Sequence, residues 1–571
     1  MFDYDKFYKE SSVNINSDPQ RFSRIASLCR GKVLDIGCCF GVLADYYSGD
    51  YTGLDFSASA LEKAKKVRRA DARFLLRDCS DLTDFSVSEF YADSIAECQC
   101  AEYKKAGQGL CPKHEKTPAF PNFDTIILTE FLEHFKNDEK ILGPIFKHAK
   151  PGSRIIVSCP NGPRIPDPSH ERELTIPELR KRFSPYGKVK FYNWPHAYHQ
   201  ILMTCDLGQK NDDLLSLVMC VKDEEKGLER AIFSCIDFVD NIVISVDSKS
   251  ADKTLEIAKL YADTLKTHIF ADDFSKLRND AHEGVKTKWI FFLDGHEFVT
   301  QSPDLEKFLA MDIDGLLVNV KLENSFVFPN PRIYKNGVSF EGKIHEKQIC
   351  KTTFYYPGFI VEHCRLGVQD PEAISFRQKQ CDDMVPRHLT AEIKKNPKNV
   401  RAPFHLGLYW ESKGEFKKAL FYYRKYLKYS KNNQERWFIL FYSSMCHLAL
   451  GHPFRAFHCA FLAELEAPDR WETSKLKGLI FSRKKKWVKA IESLVDSLKD
   501  NKGPTLYRPW PRNLSGTWNL VGECFFNLRN FEKAYLAFDR AAELCEDKLP
   551  KKFLEKRSRL MREIFQRSFS K

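Results

Sequence analysis

Lys32-Val33-Leu34-Asp35-Ile36-Gly37-Cys38-Cys39-Phe40-Gly41 reads as a buried strand, a tight turn and the opening of a helix. Gly37 and Gly41 let the backbone turn sharply and approach a ligand closely, and the first turn of a helix offers unpaired N–H groups. Short apolar runs of the same texture follow at Tyr51-Thr52-Gly53-Leu54, Thr125-Ile126-Ile127-Leu128 and Arg154-Ile155-Ile156-Val157-Ser158. They alternate with helical stretches, the pattern of a parallel sheet covered on both faces. The turn lacks G-x-G-x-x-G, which argues against a dinucleotide fold of the NAD type.

The ends of these strands carry acids. Asp55 closes the second strand, where a carboxylate can accept hydrogen bonds from both hydroxyls of a ribose. Asp78 closes Phe74-Leu75-Leu76-Arg77-Asp78, where a carboxylate can accept from an adenine amino group. Phe123-Asp124 opens the fourth strand, which leads into Glu130-Phe131-Leu132-Glu133-His134. With Pro151-Gly152 before the next strand and Ser158-Cys159-Pro160-Asn161 after it, residues 30 to 195 resemble the class I S-adenosylmethionine-dependent methyltransferases, in the branch acting on small molecules and glycans. The resemblance implies that Asp35, Gly37 and Gly41 surround the methionine part, that Asp55 binds ribose and that Asp78 lies at adenine. Cys39 stands where the family has its central glycine. His134 is either a general base toward an acceptor hydroxyl or a capping and packing residue. An insert, residues 86–122, holds Cys98, Cys100, Cys111 and His114. Three thiolates and an imidazole would make a closed tetrahedral zinc site, and free thiols in a loop are the alternative.

A second α/β series begins at Leu214, after a polar linker at 207–213. Its strands are Leu215 to Val221, Asn241 to Val246 and Trp289 to Leu293. Four separated motifs occur in order: Lys222-Asp223-Glu224-Glu225, Ser245-Val246-Asp247-Ser248, Asp272 to Asn279, and Asp294-Gly295-His296-Glu297. An acid-rich turn after a strand suits a hard cation that bridges two phosphates. Residues 214–367 resemble family 2 glycosyltransferases of the GT-A fold. The resemblance implies that Asp247 contacts the base or ribose with Glu224 near it, and that Arg278 and Asn279 lie on the donor side. Asp294 and His296 would fall at the D-x-D metal position. His296 replaces the second acid, and imidazole favours Mn over Mg. A third ligand is expected from His345 or His363, with His345 preferred. In Phe340-Glu341-Gly342-Lys343-Ile344-His345-Glu346, Glu346 is the expected general base for inverting transfer.

From residue 368 to 571 the texture is helical. Ala419, Ala456, Ala490 and Ala534 each follow a small residue by twelve positions, at Gly407, Ser444, Gly478 and Gly522. Large residues stand four later at Tyr423, Leu494 and Phe538. Small residues belong where paired antiparallel helices touch. The pattern resembles tetratricopeptide repeats, about four copies over 396–548 with a loop around Pro504, Pro509 and Pro511.

The fold class expected is therefore multidomain α/β plus all-α: a Rossmann-like methyltransferase domain (1–206), a GT-A nucleotide-sugar domain (214–367) and a helical repeat array (368–571). The 571 residues exceed what a single hydrophobic core holds. A net charge of +12 is mild for the length and suits nucleotide-bearing ligands; no nucleic-acid module is recognisable. Met1 to Glu10 carries no apolar signal region and no run is long enough to span a membrane, so a cytoplasmic protein is expected, its 18 cysteines thiols, metal ligands or core residues. The expected function is a bifunctional glycan-modifying enzyme. It would take S-adenosylmethionine, a divalent cation (Mn or Mg) and possible structural Zn. Its partners would be a nucleotide-sugar donor and a glycan, peptide or protein acceptor held by the repeats. The alternatives are a repeat-based scaffold, or a protein or peptide glycosyltransferase with one catalytic domain degenerate or regulatory.

Overall fold

The computed structural model describes residues 18–85, 120–194, 199–210, 212–302, 304–323, 327–364, 371–468, 470–499 and 513–568. Cys98, Cys100, Cys111 and His114, the candidate zinc ligands, lie outside the described residues. The 15 described cysteines are all free.

The first sheet has seven strands: β1 (Val33–Ile36), β2 (Tyr51–Asp55), β3 (Arg73–Leu76), β4 (Thr125–Thr129), β5 (Arg154–Pro160), β6 (Gly187–Phe191) and β7 (Gln200–Leu207). Their order is β3-β2-β1-β4-β5-β7-β6, parallel except for β7, which runs antiparallel to both β5 and β6. β1 and β2 are buried along their whole length, as strands covered on both faces must be. The strand order reverses at β1, so the β1 and β4 ends open onto one crevice, where ligands of open α/β sheets bind.

The second sheet has eight strands: β8 (Leu215–Val221), β9 (Asn241–Asp247), β10 (Thr264–His268), β11 (Trp289–Phe292), β12 (Glu297–Gln301), β13 (Gly315–Lys321), β14 (Val327–Lys335) and β17 (Thr353–His363). β15 (Phe340–Glu341) and β16 (Lys347–Gln348) form a separate two-stranded ribbon. In the order β10-β9-β8-β11-β14-β13-β17-β12, the first four strands are parallel, and the antiparallel β14 follows.

The two sheets are not insulated from one another. Leu207, expected to begin the linker, is the last residue of β7 and is buried. One hydrophobic cluster runs from Ile25 through both sheets to Val361. Polar contacts cross the same boundary. Arg180 pairs with Asp263 at 2.8 Å, and Arg164 with Glu229 at 2.6 Å. Asn161 Nδ2 donates to the Tyr261 hydroxyl (2.8 Å), which donates to Glu229 (2.5 Å).

Beyond the helix Pro371–Lys395, paired helices build the array: Arg401–Ser412 with Phe416–Tyr429, Asn433–Ala449 with Pro453–Glu466, Trp471–Arg483 with Trp487–Asp496, and Leu514–Asn527 with Phe531–Glu543. The four repeat alanines are fully buried. A Cβ on Gly407 would stand 2.2 Å from the Tyr423 ring, on Gly478 2.6 Å from Leu494, and on Gly522 2.6 Å from Phe538. At the second pair the small residue is a serine, and Ser444 Oγ donates to the Ala456 carbonyl at 2.8 Å. The spacing of small and large residues is thus a packing rule: each large side chain occupies the space its partner's missing side chain leaves.

Candidate active sites

The turn after β1 places Gly37 and Gly41 in the left-handed region (φ 76 and 60), and Cys39 shares it at φ 50. A non-glycine residue there costs about 1 kcal/mol. A hydrogen bond offsets that cost: the Cys39 N–H donates to Asp55 Oδ2 at 2.8 Å. Asp55 Oδ1 accepts from the Ser57 N–H at 2.9 Å, so this carboxylate ties the two strand-end turns together. Burial pushes its carboxyl up, against the pull of the backbone N–H groups. Asp35 is also buried. Its Oδ2 accepts from the Tyr51 hydroxyl at 2.6 Å, while Oδ1 has no hydrogen-bond partner. Burial raises the Asp35 carboxyl to about 6, with Asp55 adding to the shift and Tyr51 and Arg21 opposing it. Asp78 is exposed beyond β3 and accepts from the Ser80 N–H (2.9 Å) and hydroxyl (2.6 Å). A buried acid with an unused oxygen beside a glycine turn fits a cationic ligand group such as an ammonium or sulfonium.

The second site gathers at the ends of β8, β9 and β11. Asp247 ends β9 and caps its turn by accepting from the Lys249 N–H at 2.9 Å. Glu224 is buried against His296, with Oε1 and Nδ1 3.0 Å apart. Arg278, on the helix Phe274–His282, is clamped over the Phe292 ring at 4.0 Å and near Phe340 at 5.5 Å. From there it reaches two acids: Nε lies 2.5 Å from Glu346, and its Nη2 3.7 Å from Asp294. Burial opposes ionisation of Asp294, but Arg278, Arg332, His296 and His363 outweigh it and hold the carboxyl well below the usual carboxylate range.

Two of the expected site residues are held by contacts outside the donor and metal positions. Asn279 was expected to serve the donor, yet both its ends are taken by Phe340. Its Nδ2 donates to the Phe340 carbonyl at 3.0 Å, and its Oδ1 accepts from the Phe340 N–H at 2.8 Å. It fixes the ribbon that carries Glu346. His345, the preferred third ligand, has φ 51 and stacks on His405 of the array, with centroids 4.2 Å apart and ring planes 9° apart. The imidazole beside His296 is that of His363, at 4.5 Å between centroids. The pairing of β12 with β17, Glu297 opposite His363, delivers it.

Glu297 and Arg332 were not foreseen as site residues. The buried Glu297 pairs with Arg332 at 2.5 Å, accepts from the Asp294 N–H at 3.1 Å and lies 3.3 Å from His363 Nδ1. Glu297 adjoins the Asp-Gly-His turn, a signal that was there to read. Arg332 comes from β14, and nothing local marks it.

Known families match both α/β parts. The family described as Methyltransferase domain matches residues 30–213, and Glycosyl transferase family 2 matches residues 216–367. The chain joins a methyltransferase domain to a family 2 glycosyltransferase domain. Both families are transferases, and the tail that follows is a tetratricopeptide-like array. A TPR repeat-containing protein of Synechococcus elongatus is 39% identical over 83 residues, 14% of this chain and 20% of the relative. The chain thus spans about a fifth of the length of that curated relative. Among solved structures, MamA is 15% identical and covers 31% of this chain and 95% of its own, at a TM-score of 0.26. YrrB, described as a TPR protein with an unusual peptide-binding site, is 13% identical and covers 32% and 88%, at 0.26.

In the glycosyltransferase domain the residue types fit a divalent cation, while the ligand atoms of Asp294, His296 and His363 are not gathered within 4.8 Å of one another. Asp294 stays ionised, and His296 and His363 each turn Nδ1 toward a carboxylate, Glu224 and Glu297. Donation of Nδ1–H to a carboxylate leaves the ring lone pair on Nε2, the nitrogen through which such a histidine ligates a metal. No helix among the described residues is long and apolar enough to cross a membrane.

Proposed function

We propose that this chain is a bifunctional glycan-modifying transferase. The glycosyltransferase domain takes a sugar from a nucleotide-diphosphate donor, and the methyltransferase domain takes a methyl group from S-adenosylmethionine. Both act on one glycan or glycoconjugate. The observation that carries the reading is the charge arrangement at the two strand-end sites: a buried acid with an unpaired oxygen in the first, and an ionised acid among two histidines and two arginines in the second.

Asp35, Gly37 and Gly41 receive the methionine end of S-adenosylmethionine, Asp55 faces the ribose and Asp78 the adenine. Asp35 Oδ1 supplies the acceptor that the ligand's cationic end needs. In the second domain Asp294, His296 and His363 would hold the divalent cation (Mn in preference to Mg, given two imidazoles). When bound it neutralises charge on the diphosphate leaving group. Glu224 and Asp247 bound the donor side. Glu346 takes the proton from the acceptor hydroxyl, and Arg278 keeps that carboxylate in register with Asp294.

A protein or peptide acceptor is the second reading, favoured by the grip of the array on the Glu346 loop. Arg401 donates to the carbonyls of Ile344 (2.5 Å) and His345 (2.9 Å), and its guanidinium occupies the space a side chain at Gly342 would need.

The test is binding of labelled S-adenosylmethionine, together with cation-dependent hydrolysis of a panel of nucleotide sugars read by intact mass. Both are expected to be positive. A chain that hydrolyses no donor with or without Mn would overturn the sugar-transfer half, and one that binds no S-adenosylmethionine the methyl half.

A further inference from the structure

The methyltransferase domain contains a cluster that S-adenosylmethionine binding does not use. Glu133, His134 and His170 each bring one ligand atom within 4.8 Å of the others, the sole such trio of His, Cys, Asp or Glu groups found among the described residues. Backbone bonds assemble it. The N–H groups of Glu171 and Arg172 donate to the Glu133 carbonyl at 2.9 and 3.3 Å, which carries His170 to the end of β4. The His134 and His170 rings meet edge to face at 5.1 Å. His134 Nδ1 lies 3.2 Å from the Ser169 carbonyl; donating there leaves the ring lone pair on Nε2.

Glu133 is the second, independent observation. Its side chain is 2% exposed, and beyond its own backbone N–H neither carboxylate oxygen has a hydrogen-bond partner. The nearby guanidiniums are engaged elsewhere: Arg172 with Asp138, and Arg21 with Glu130 at 3.2 Å. Both attract Glu133 from nearby without pairing with it; a buried carboxylate with no direct partner is costly, and a bound cation supplies one. Glu133 and His170 also line a pocket of about 670 Å³, walled by Pro160, Gly162 and Leu174. The pocket lies beyond the end of β5, beside the strand ends that form the S-adenosylmethionine crevice.

We propose that Glu133, His134 and His170 bind a divalent first-row transition cation that activates the acceptor hydroxyl for O-methylation. One carboxylate and two imidazoles leave coordination positions open, as catalytic metal sites do. The acceptor's hydroxyl oxygen takes an open position and its proton passes to water, since a cation lowers the pKa of a bound O–H. The oxygen lone pair forms the new O–CH3 bond. The S–CH3 bonding pair returns to sulfur, and neutral S-adenosylhomocysteine leaves. His134 is then a ligand and not the general base. The proposal rests on the methyltransferase reading, but the cation site is tested independently of it.

The probe is Mn²⁺ alone, counted by electron paramagnetic resonance titration of the full-length chain and of Glu133→Gln and His170→Ala. Each variant is expected to bind one ion fewer per chain than the parent while still hydrolysing the sugar donor, which reports on folding. Should one variant fail to fold, the other decides. Equal Mn²⁺ stoichiometry in parent and variants overturns the site, as does a parent that takes up none. Labelled S-adenosylmethionine is titrated in parallel. A parent that binds Mn²⁺ through this trio but no S-adenosylmethionine refutes the methyltransferase reading and leaves the cation site standing.

Discussion

The two strand-end sites are built alike and charged oppositely. In the methyltransferase domain the acids are met by neutral donors, a tyrosine hydroxyl on Asp35 and backbone N–H groups on Asp55. In the glycosyltransferase domain the acids are met by charge, with Arg278 between Asp294 and Glu346 and Arg332 on Glu297. One carboxyl is accordingly pushed up to about 6 and the other held far down. The difference teaches which ligand each site suits. In the first no ion pair is made on Asp35 or Asp55 among the described residues, which suits a cationic ligand group. The second is furnished with cationic groups, which suits a phosphate-bearing one.

The sharpest break of that contrast is Asp294→Asn. It is expected to lower donor turnover by about 100-fold or more, the scale of losing a preorganised charge in a dry site. S-adenosylmethionine binding should stay as in the parent. Loss of both would mean that the two sites are not separable.

The next is Asp35→Asn. A carboxyl raised to about 6 in the fold favours the folded state below its unfolded value near 4, and that contribution is lost as pH rises through 6. The substitution is therefore expected to stabilise the protein above pH 6, by up to about 3 kcal/mol, and to make little difference near pH 4. It should also weaken S-adenosylmethionine binding at least tenfold. Thermal unfolding across pH 4 to 8, with ligand titration at pH 7.5, reads both. Asp294 carries the opposite sign: its charge stabilises the fold at neutral pH, and that contribution disappears as pH falls through the acid range.

Arg401→Ala tests whether the array serves the second site alone. Donor hydrolysis with acceptor present should fall several-fold, because the Ile344 and His345 carbonyls lose their anchor. S-adenosylmethionine affinity is expected to be unchanged.

The smallest effect is expected of Cys39→Gly. Relief of left-handed strain is worth about 1 kcal/mol, and the freer unfolded chain returns part of it. A net change above about 1 kcal/mol in chemical denaturation would show that the thiol itself matters.

Much of this was legible in the sequence because it is local. Strand ends, glycine turns and the repeat spacing are patterns within a few dozen residues, and Gly407, Gly478 and Gly522 meet the large residues that the spacing names. What was not legible is carried by long-range pairing. His363 reaches His296 through the β12–β17 register, and Arg332 arrives from β14. His170 was not singled out because nothing in its own segment hints at Glu133, 37 residues earlier. His345 carried the right chemistry, but the array claims it by stacking His405 upon it.

The shared core beneath the two sheets has a consequence for how the molecule melts. Apolar side chains from Ile25 to Val361 form one packed body, with the Arg180–Asp263 pair buried in the seam. Such a body is one cooperative unit, in contrast to a stack of repeats that can unravel from an end. Calorimetry should register a single endotherm for both catalytic halves together with the first helices of the array, which pack on Ile344, and a distinct one for the later repeats. A nick near residue 210 would yield fragments that remain together, not two freestanding transferases.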